Sequence, residues 1–277
     1  MAQRLTIPDI LQSKSLRKLS MLTAYDYPTA SIVDSCGIDM ILVGDSLAMV
    51  VLGHEDTLSV TMEEMLHHTR AVARGAGRCL VIGDMPFMSY QVSVEQAVAN
   101  AGRFLKEAGA QAVKLEGGSS VVPQIQSITK AGIPVQGHLG LTPQSAGQLG
   151  GFKVQGTTAE KATQLIAEAH ALVEVGCFSL VLEAIPSEVA ARISREVPIP
   201  TIGIGAGPEC DGQVLVLHDL LGLFDRFRPK FVKQYAALGE ETAEAVRRFK
   251  SEVEQGAFPG SEHSFFLKPE ERDRLSP

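Results

Sequence analysis

A closed (β/α)8 barrel, the TIM-barrel fold, is what this 277-residue chain predicts, on three observations. Eight short apolar runs alternate with amphipathic stretches, the order that a parallel sheet with crossover helices imposes. The length is near the about 250 residues typical of the closed barrel. The turn after the first run, Ala24-Tyr25-Asp26-Tyr27-Pro28, lacks the glycines with which an open doubly wound sheet grips a dinucleotide. The runs fall at residues 19–23, 40–44, 80–83, 112–115, 134–137, 179–182, 200–203 and, more weakly patterned, 214–217. No low-complexity linker divides the chain, so residues 1–277 read as one barrel domain with N-terminal and C-terminal helical extensions, the latter over 241–255.

The segments between the runs carry helix signals. Thr61 with Glu64, Ser93 with Gln96 and Thr157 with Glu160 have the spacing of a capping box, in which two side chains satisfy each other's unpaired backbone donors. After Ser93, the residues Val94, Ala97, Val98, Ala101, Leu105 and Ala108 recur at helical spacing, and Gly109 follows where a left-handed C-terminal residue would stand. Gly37, Gly132 and Gly176 end three further helices in the same way.

Composition narrows the function. Hydrophobic residues make up 45% and charged residues 21%, with 26 Gly and 14 Pro, which excludes disorder, collagen and coiled coil. With 25 basic against 32 acidic residues the formal charge is −7 and no basic run interrupts it, so small molecules and not nucleic acid are the expected partners. Cys36, Cys79, Cys177 and Cys210 form no C-x-x-C pair, which suggests neither zinc nor a disulfide framework and fits a reducing cytoplasm. The first residues lack an apolar core of the signal-peptide type, and the most hydrophobic stretch, 40–53, is short and contains Asp45. The expectation is a protein neither exported nor membrane-spanning.

Catalytic groups of a parallel barrel stand at the carboxyl ends of its strands, where the βα loops converge. Five successive runs end in polar or ionisable residues there: Asp45-Ser46, Asp84, Lys114 with Glu116, His138, and Glu183. Lys114 and Glu116 are two apart and therefore share one face of their strand. Asp45, Asp84 and Glu116 are oxygen donors with no Cys or His companion at ligand spacing, which suits a hard cation such as Mg²⁺. Lys114 serves either as their counter-ion or as the partner of an anionic substrate. The long connections 46–60 and 139–156 read as functional lids, or as surface excursions capping a barrel end. The glycines of 203–207 permit close backbone packing or, less in keeping with glycine usage, cradle a phosphate. His54, His67, His68, His170, His218 and His263 have no partner constellation and receive no role.

The stretches MLTAYDYPTA, ILVGDSLAMVVLGHEDTLSVTMEEM, IGDMPFMSY, AVKLEGG, PVQGHLGLTPQS, LVLEAIP, TIGIGAG and PKFVKQY, in this order over nearly the whole chain, resemble the ketopantoate hydroxymethyltransferases. The resemblance implies a barrel of the Mg²⁺-dependent 2-oxo-acid type, like phosphoenolpyruvate mutase and isocitrate lyase. It implies transfer of a hydroxymethyl group from the co-substrate 5,10-methylenetetrahydrofolate to 3-methyl-2-oxobutanoate, giving 2-dehydropantoate in the first committed step of pantothenate synthesis. By the same resemblance Asp45, Asp84 and Glu116 hold one Mg²⁺ per subunit, Glu116 through water. Asp45, Ser46, Asp84 and Lys114 contact the substrate, His138 contacts it or stands behind it, and Glu183 moves a proton at C3 or to the departing folate nitrogen. High-order homo-oligomers are implied as well. Two rivals are a Mg²⁺-dependent lyase or mutase on another 2-oxo acid, and a silent barrel that only binds a metabolite. The first commonly places a cysteine in a lid, and neither long connection has one; the second has no need of the intact acidic set.

Overall fold

Every expected apolar run is a strand in the computed structural model, which describes residues 4–275. The strands are β1 (Leu19–Thr23), β2 (Met40–Val43), β3 (Leu80–Asp84), β4 (Ala112–Glu116), β5 (Val135–Gly140), β6 (Ser179–Glu183), β7 (Thr201–Ile204) and β8 (Gly212–Leu215). They pair in chain order, all parallel, and Met21 lies opposite both Met40 of β2 and Val214 of β8, which closes the barrel. Strand β5 runs on to Gly140 because its end pairs in register with Leu182 and Glu183 of β6. Strand β8 begins at Gly212, earlier than its apolar residues suggest, because Gly212 pairs with Leu19 on one side and Ile202 on the other.

The helices are α1 (Ile7–Gln12), α2 (Tyr27–Ser35), α3 (Leu47–Val50), α4 (Met62–Gly75), α5 (Val94–Lys106), α6 (Val122–Lys130), α7 (Ala146–Leu149), α8 (Ala159–Glu174), α9 (Ser187–Glu196), α10 (Leu217–Leu221), α11 (Leu238–Glu254) and α12 (Pro269–Leu275). Thr61 and Glu64 make the full capping box at α4. At α5 only one arm forms, Gln96 N–H to Ser93 Oγ. The third box is corrected: the extended residue before α8 is Thr158, not Thr157, and its hydroxyl accepts from the Lys161 N–H, a position with no carboxylate to reach back. Helix α5 buries Ala97 and Ala101 as expected and also Phe104, whose ring lies over Gly83 so closely that a β-carbon there would stand 2.3 Å from it.

Alternation divides the apolar residues into two layers. Met21, Met40, Leu42, Leu80, Ile82, Ala112, Val181, Ile202 and Val214 point inward, and Ile10 of α1 closes the amino-terminal end beneath them. Val81, Val113, Leu115, Leu180 and Leu182 point outward against helical residues such as Leu66, Phe104, Ile125 and Ile193. On β4 the inward set is therefore Ala112, Lys114 and Glu116. The interior is filled from below by these side chains, and the ionisable residues Lys114 and Glu116 stand toward its carboxyl end.

The ring of helices is thin around β8: among the described residues no helix lies between β7 and β8, and α10, after β8, has five residues. Helix α11 buries none of its side chains, and its stripe of Val246, Phe249 and Val253 is exposed. Among the described residues no helix is long and apolar enough to cross a membrane.

Candidate active site

The strand ends converge as the barrel geometry requires. Asp45, Asp84, Lys114, Glu116 and His138 are each no more than 5% exposed, while the Glu183 side chain is 16% exposed. Lys114 Nζ stands 2.9 Å from Asp84 Oδ1, 3.4 Å from Glu116 Oε1 and 3.2 Å from His138 Nδ1. His138 Nδ1 is 3.3 Å from Glu116 Oε1, and its Nε2 is 3.3 Å from Glu183 Oε2, off the line of a hydrogen bond. The backbone N–H of Asp45 donates to Asp84 Oδ2 at 3.1 Å. Five ionisable groups from β3 to β6 thus form one chain of contacts, with Asp45 and Ser46 beside it on the turn after β2.

Burial and mutual charge set the protonation. Burial, and then the neighbouring Asp84 and Glu116 charges, raise the Asp45 carboxyl well above the carboxylate range. Burial raises Asp84 too, against the pull of Lys114. Burial opposes ionisation of Glu116, yet Lys114 and His138 outweigh it and bring this carboxyl down to about 2. Burial and the Lys114 charge disfavour a charged His138, but Glu116 and Glu183 prevail and raise the imidazole to about 9. The buried Lys114 is held ionised by Asp84, Glu116 and Asp45. Lys114 and His138 bring two positive charges to three buried carboxyl groups, and the shortfall falls on Asp45 and Asp84.

Two residues central to this arrangement carry no signal in the sequence pattern. Gln144, in the turn Pro143–Ser145 after β5, donates from Nε2 to Asp45 Oδ2 and to Met85 O, each at 2.9 Å. Its backbone N–H donates to Glu116 Oε2 at 3.0 Å. Tyr90 donates to Gln144 Oε1 at 2.7 Å and accepts from the Glu116 N–H at 3.2 Å. A further link joins Tyr25 Oη to Ser46 Oγ at 2.8 Å, orienting the Ser46 hydroxyl beside the cluster.

A cavity of about 170 Å³ opens over these groups. Its floor is Asp45, Ser46, Asp84, Lys114, Glu116, His138 and Glu183. Both long connections wall it, with Met49, Val50 and Thr57 from 46–60 and Pro143 and Phe152 from 139–156. A third wall, absent from the sequence reading, comes from the chain after β8: Asp219, Phe224, Phe227, Pro229 and Phe231. The glycine run packs and does not cradle: at left-handed Gly205 a β-carbon would stand 2.6 Å from the Phe231 ring, and at Gly207 it would stand 2.5 Å from Ser187 Cβ. The six unassigned histidines lie outside the ionised chain; His68 Nδ1 meets Tyr25 O at 2.6 Å, His170 pairs with Glu196, and His218 packs on Tyr25. All four cysteines are free thiols.

Among the described residues no three Asp, Glu, His or Cys side chains converge into a finished metal cage. Glu116 turns its oxygens to Lys114, His138 and the Gln144 N–H. Asp45 and Asp84 are the pair whose ionisation the protein alone leaves under-compensated, and Asp84 Oδ1 has the Lys114 ion pair but no hydrogen bond. A hard cation that keeps several waters and takes one or two carboxylates fits such a donor set.

The closed parallel barrel is a fold shared with several solved enzymes. Phosphonopyruvate hydrolase, solved with oxalate and Mg²⁺, superposes with a TM-score of 0.61 at 14% identity, covering 98% of this chain and 97% of its own. The phosphoenolpyruvate mutase/isocitrate lyase superfamily member 2,3-dimethylmalate lyase superposes at 0.61 with 17% identity, covering 97% and 89%. At these identities the likeness is one of fold.

Within that architecture the chain belongs to the ketopantoate hydroxymethyltransferase family, which matches residues 4–261. It is 68% identical over 276 residues to the 3-methyl-2-oxobutanoate hydroxymethyltransferase of Syntrophobacter fumaroxidans, covering 100% of this chain and 98% of the relative. The proteins of the same name from Moorella thermoacetica and Enterococcus faecalis are 60% and 58% identical, covering 96% and 93% of this chain and 100% and 94% of their own.

Proposed function

We propose that this protein moves a hydroxymethyl group onto C3 of 3-methyl-2-oxobutanoate, with 5,10-methylenetetrahydrofolate as donor and 2-dehydropantoate as product. The observation that carries the site assignment is the position of Glu183. Among the side chains of the floor's contact chain it is the most exposed, with Oε2 toward His138 Nε2, while Asp84, Lys114, Glu116 and His138 line the cavity almost fully buried.

Asp45 and Asp84 would hold a Mg²⁺ ion, with Glu116 behind them through water. Phosphonopyruvate hydrolase binds that ion with oxalate, whose paired oxygens match those of a 2-oxo acid. When bound, the ion supplies a Lewis acid for the negative charge that develops on the keto oxygen.

The chain's own residues do the rest. Lys114, fixed between Asp84 and Glu116, offsets the substrate's carboxylate charge. Ser46, oriented by Tyr25, donates to the substrate carboxylate. Glu183 takes the C3 proton, and His138 steadies Glu183 from the far side while facing Glu116. Water cleaves the two carbon–nitrogen bonds of the carrier's one-carbon unit, its hydrogens passing to the two nitrogens and its oxygen to the carbon; the C3 carbanion attacks the formaldehyde so released, the C3–CH2 bond forms, and the alkoxide takes the proton back from Glu183. The apolar walls keep bulk water from the carbanion.

The test is formation of 2-dehydropantoate from the two substrates with and without Mg²⁺, and with Asp84→Ala. The expected result is metal-dependent product that the variant fails to make. Product formed equally without metal, or by the variant, would reject the assignment. Free thiols and the lack of a membrane-crossing helix among the described residues support a cytoplasmic setting. The exposed apolar stripe of α11 supports assembly of several copies.

A further inference from the structure

The catalytic floor occupies one side of the mouth, and the other side presents a carboxylate for which the oxo acid has no use. In a closed ring of eight strands β8 stands opposite β4, and α10 after β8 turns Asp219 into the same cavity as Asp84, Lys114 and Glu183. No hydrogen bond or ion pair engages the Asp219 side chain among the described residues, and burial alone lifts its carboxyl to about 6. Around it the wall is aromatic, built from Phe224, Phe227 and Phe231, with Phe152 from the connection after β5.

A carboxylate only accepts hydrogen bonds, and its two oxygens lie side by side, so its natural neutral partner is a pair of adjacent N–H donors. Phenylalanine rings bind flat π-systems by offset stacking or edge contact. The oxo acid is small, anionic and without donors, and its polar atoms all belong over the floor. We propose that Asp219 and the phenylalanine wall form the recognition site for the one-carbon carrier, Asp219 gripping the ring N–H and neighbouring amino group of a 2-amino-4-oxopyrimidine-type heterocycle. This rests on the proposed hydroxymethyl transfer. It gives a role to the part of the cavity lined from β8 and the chain after it, with the carrier held there and its reactive carbon directed toward Glu183. It also makes Asp219 a specificity residue for the donor and leaves the enolising half-reaction to the floor.

The decisive variants are Asp219→Asn, which removes the charge with little change of shape, and Phe227→Ala, which truncates a ring already 55% exposed and so leaves the core intact. Titration calorimetry with tetrahydrofolate should show each variant binding about tenfold or more weakly, the effect of losing a hydrogen bond to a charged group or a stacking partner. The KM for methylenetetrahydrofolate should rise in parallel, while the KM for 3-methyl-2-oxobutanoate stays within about twofold and deuterium exchange at its C3 persists. A carrier analogue lacking the amino group should bind wild type as weakly as it binds Asp219→Asn. Unchanged tetrahydrofolate binding in both variants, or equal weakening of both substrates, would overturn the inference while leaving the reaction in place. A wild-type protein that exchanges C3 deuterium but neither binds tetrahydrofolate nor makes product would overturn the transfer reading and this inference together.

Discussion

Lys114 shows how much one side chain decides in this site. Its ammonium lies within 3.4 Å of Asp84, Glu116 and His138 in a volume closed to water. Replacing it by methionine keeps the stem and leaves buried carboxylates without a counter-ion, so Lys114→Met should lower unfolding stability in denaturant titration by about 3–5 kcal/mol. Asp219 works in the opposite sense. Its folded carboxyl lies at about 6 against 3.8 for the ordinary side chain, so the ionised form opposes folding. That penalty is absent below pH about 4 and complete above pH about 6. Asp219→Asn should therefore melt higher than wild type at pH 7.5, by about 1 kcal/mol once solvent screening of a half-buried group is allowed for, and the gain should vanish at pH 4. The strand-end residues were legible because a barrel places its chemistry there, and alternation put Lys114 and Glu116 on one face. Gln144, Tyr90 and Asp219 were not. Their importance lies in hydrogen bonds and cavity walls, and neither has a period or spacing along the chain.

Among the secondary-structure elements, helix α5 and the caps carry the clearest consequences. Phe104 fills the space over Gly83 between α5 and β3, and Phe104→Ala should cost about 3–5 kcal/mol in thermal or denaturant unfolding. At α4 the Thr61 hydroxyl accepts from the Glu64 N–H and donates to Glu64 Oε2, while the reciprocal arm runs from the Thr61 backbone N–H, so Thr61→Ala removes the hydroxyl arm and should cost about 1 kcal/mol by the same measurement. Strand cores were readable from apolar runs, which buried parallel strands require. Their ends were less so: β8 begins at Gly212 because its neighbours determine the register, and α8 is capped by Thr158, whose backbone is extended and whose hydroxyl reaches the Lys161 N–H. The long connections signalled themselves by length, and both wall the cavity, but the phenylalanines after β8 are interleaved with Asp225, Arg226, Arg228 and Lys230 and have no period to mark them.

For the whole molecule, closure of the ring brings side chains from residue 23 to residue 231 around one cavity, and no window of sequence contains that fact. The chain's weakly covered sector is around β8 and α11, where Val246, Phe249 and Val253 face outward at 60%, 56% and 47% exposure. Burial of such a stripe against further copies predicts sedimentation as a species several times the 29.6 kDa of one chain. Phe249→Asp combined with Val246→Asp should shift the distribution toward smaller species; a monomeric wild type would contradict the assembly. The central claim, that the ionised mouth of this barrel enolises a 2-oxo acid through Glu183, is tested most directly by deuterium exchange at C3 of 3-methyl-2-oxobutanoate with Mg²⁺ and no folate, followed by NMR. Wild type should exchange, and Glu183→Gln, folded to the same melting temperature, should exchange about 10²-fold or more slowly. Equal rates in the two proteins would contradict it.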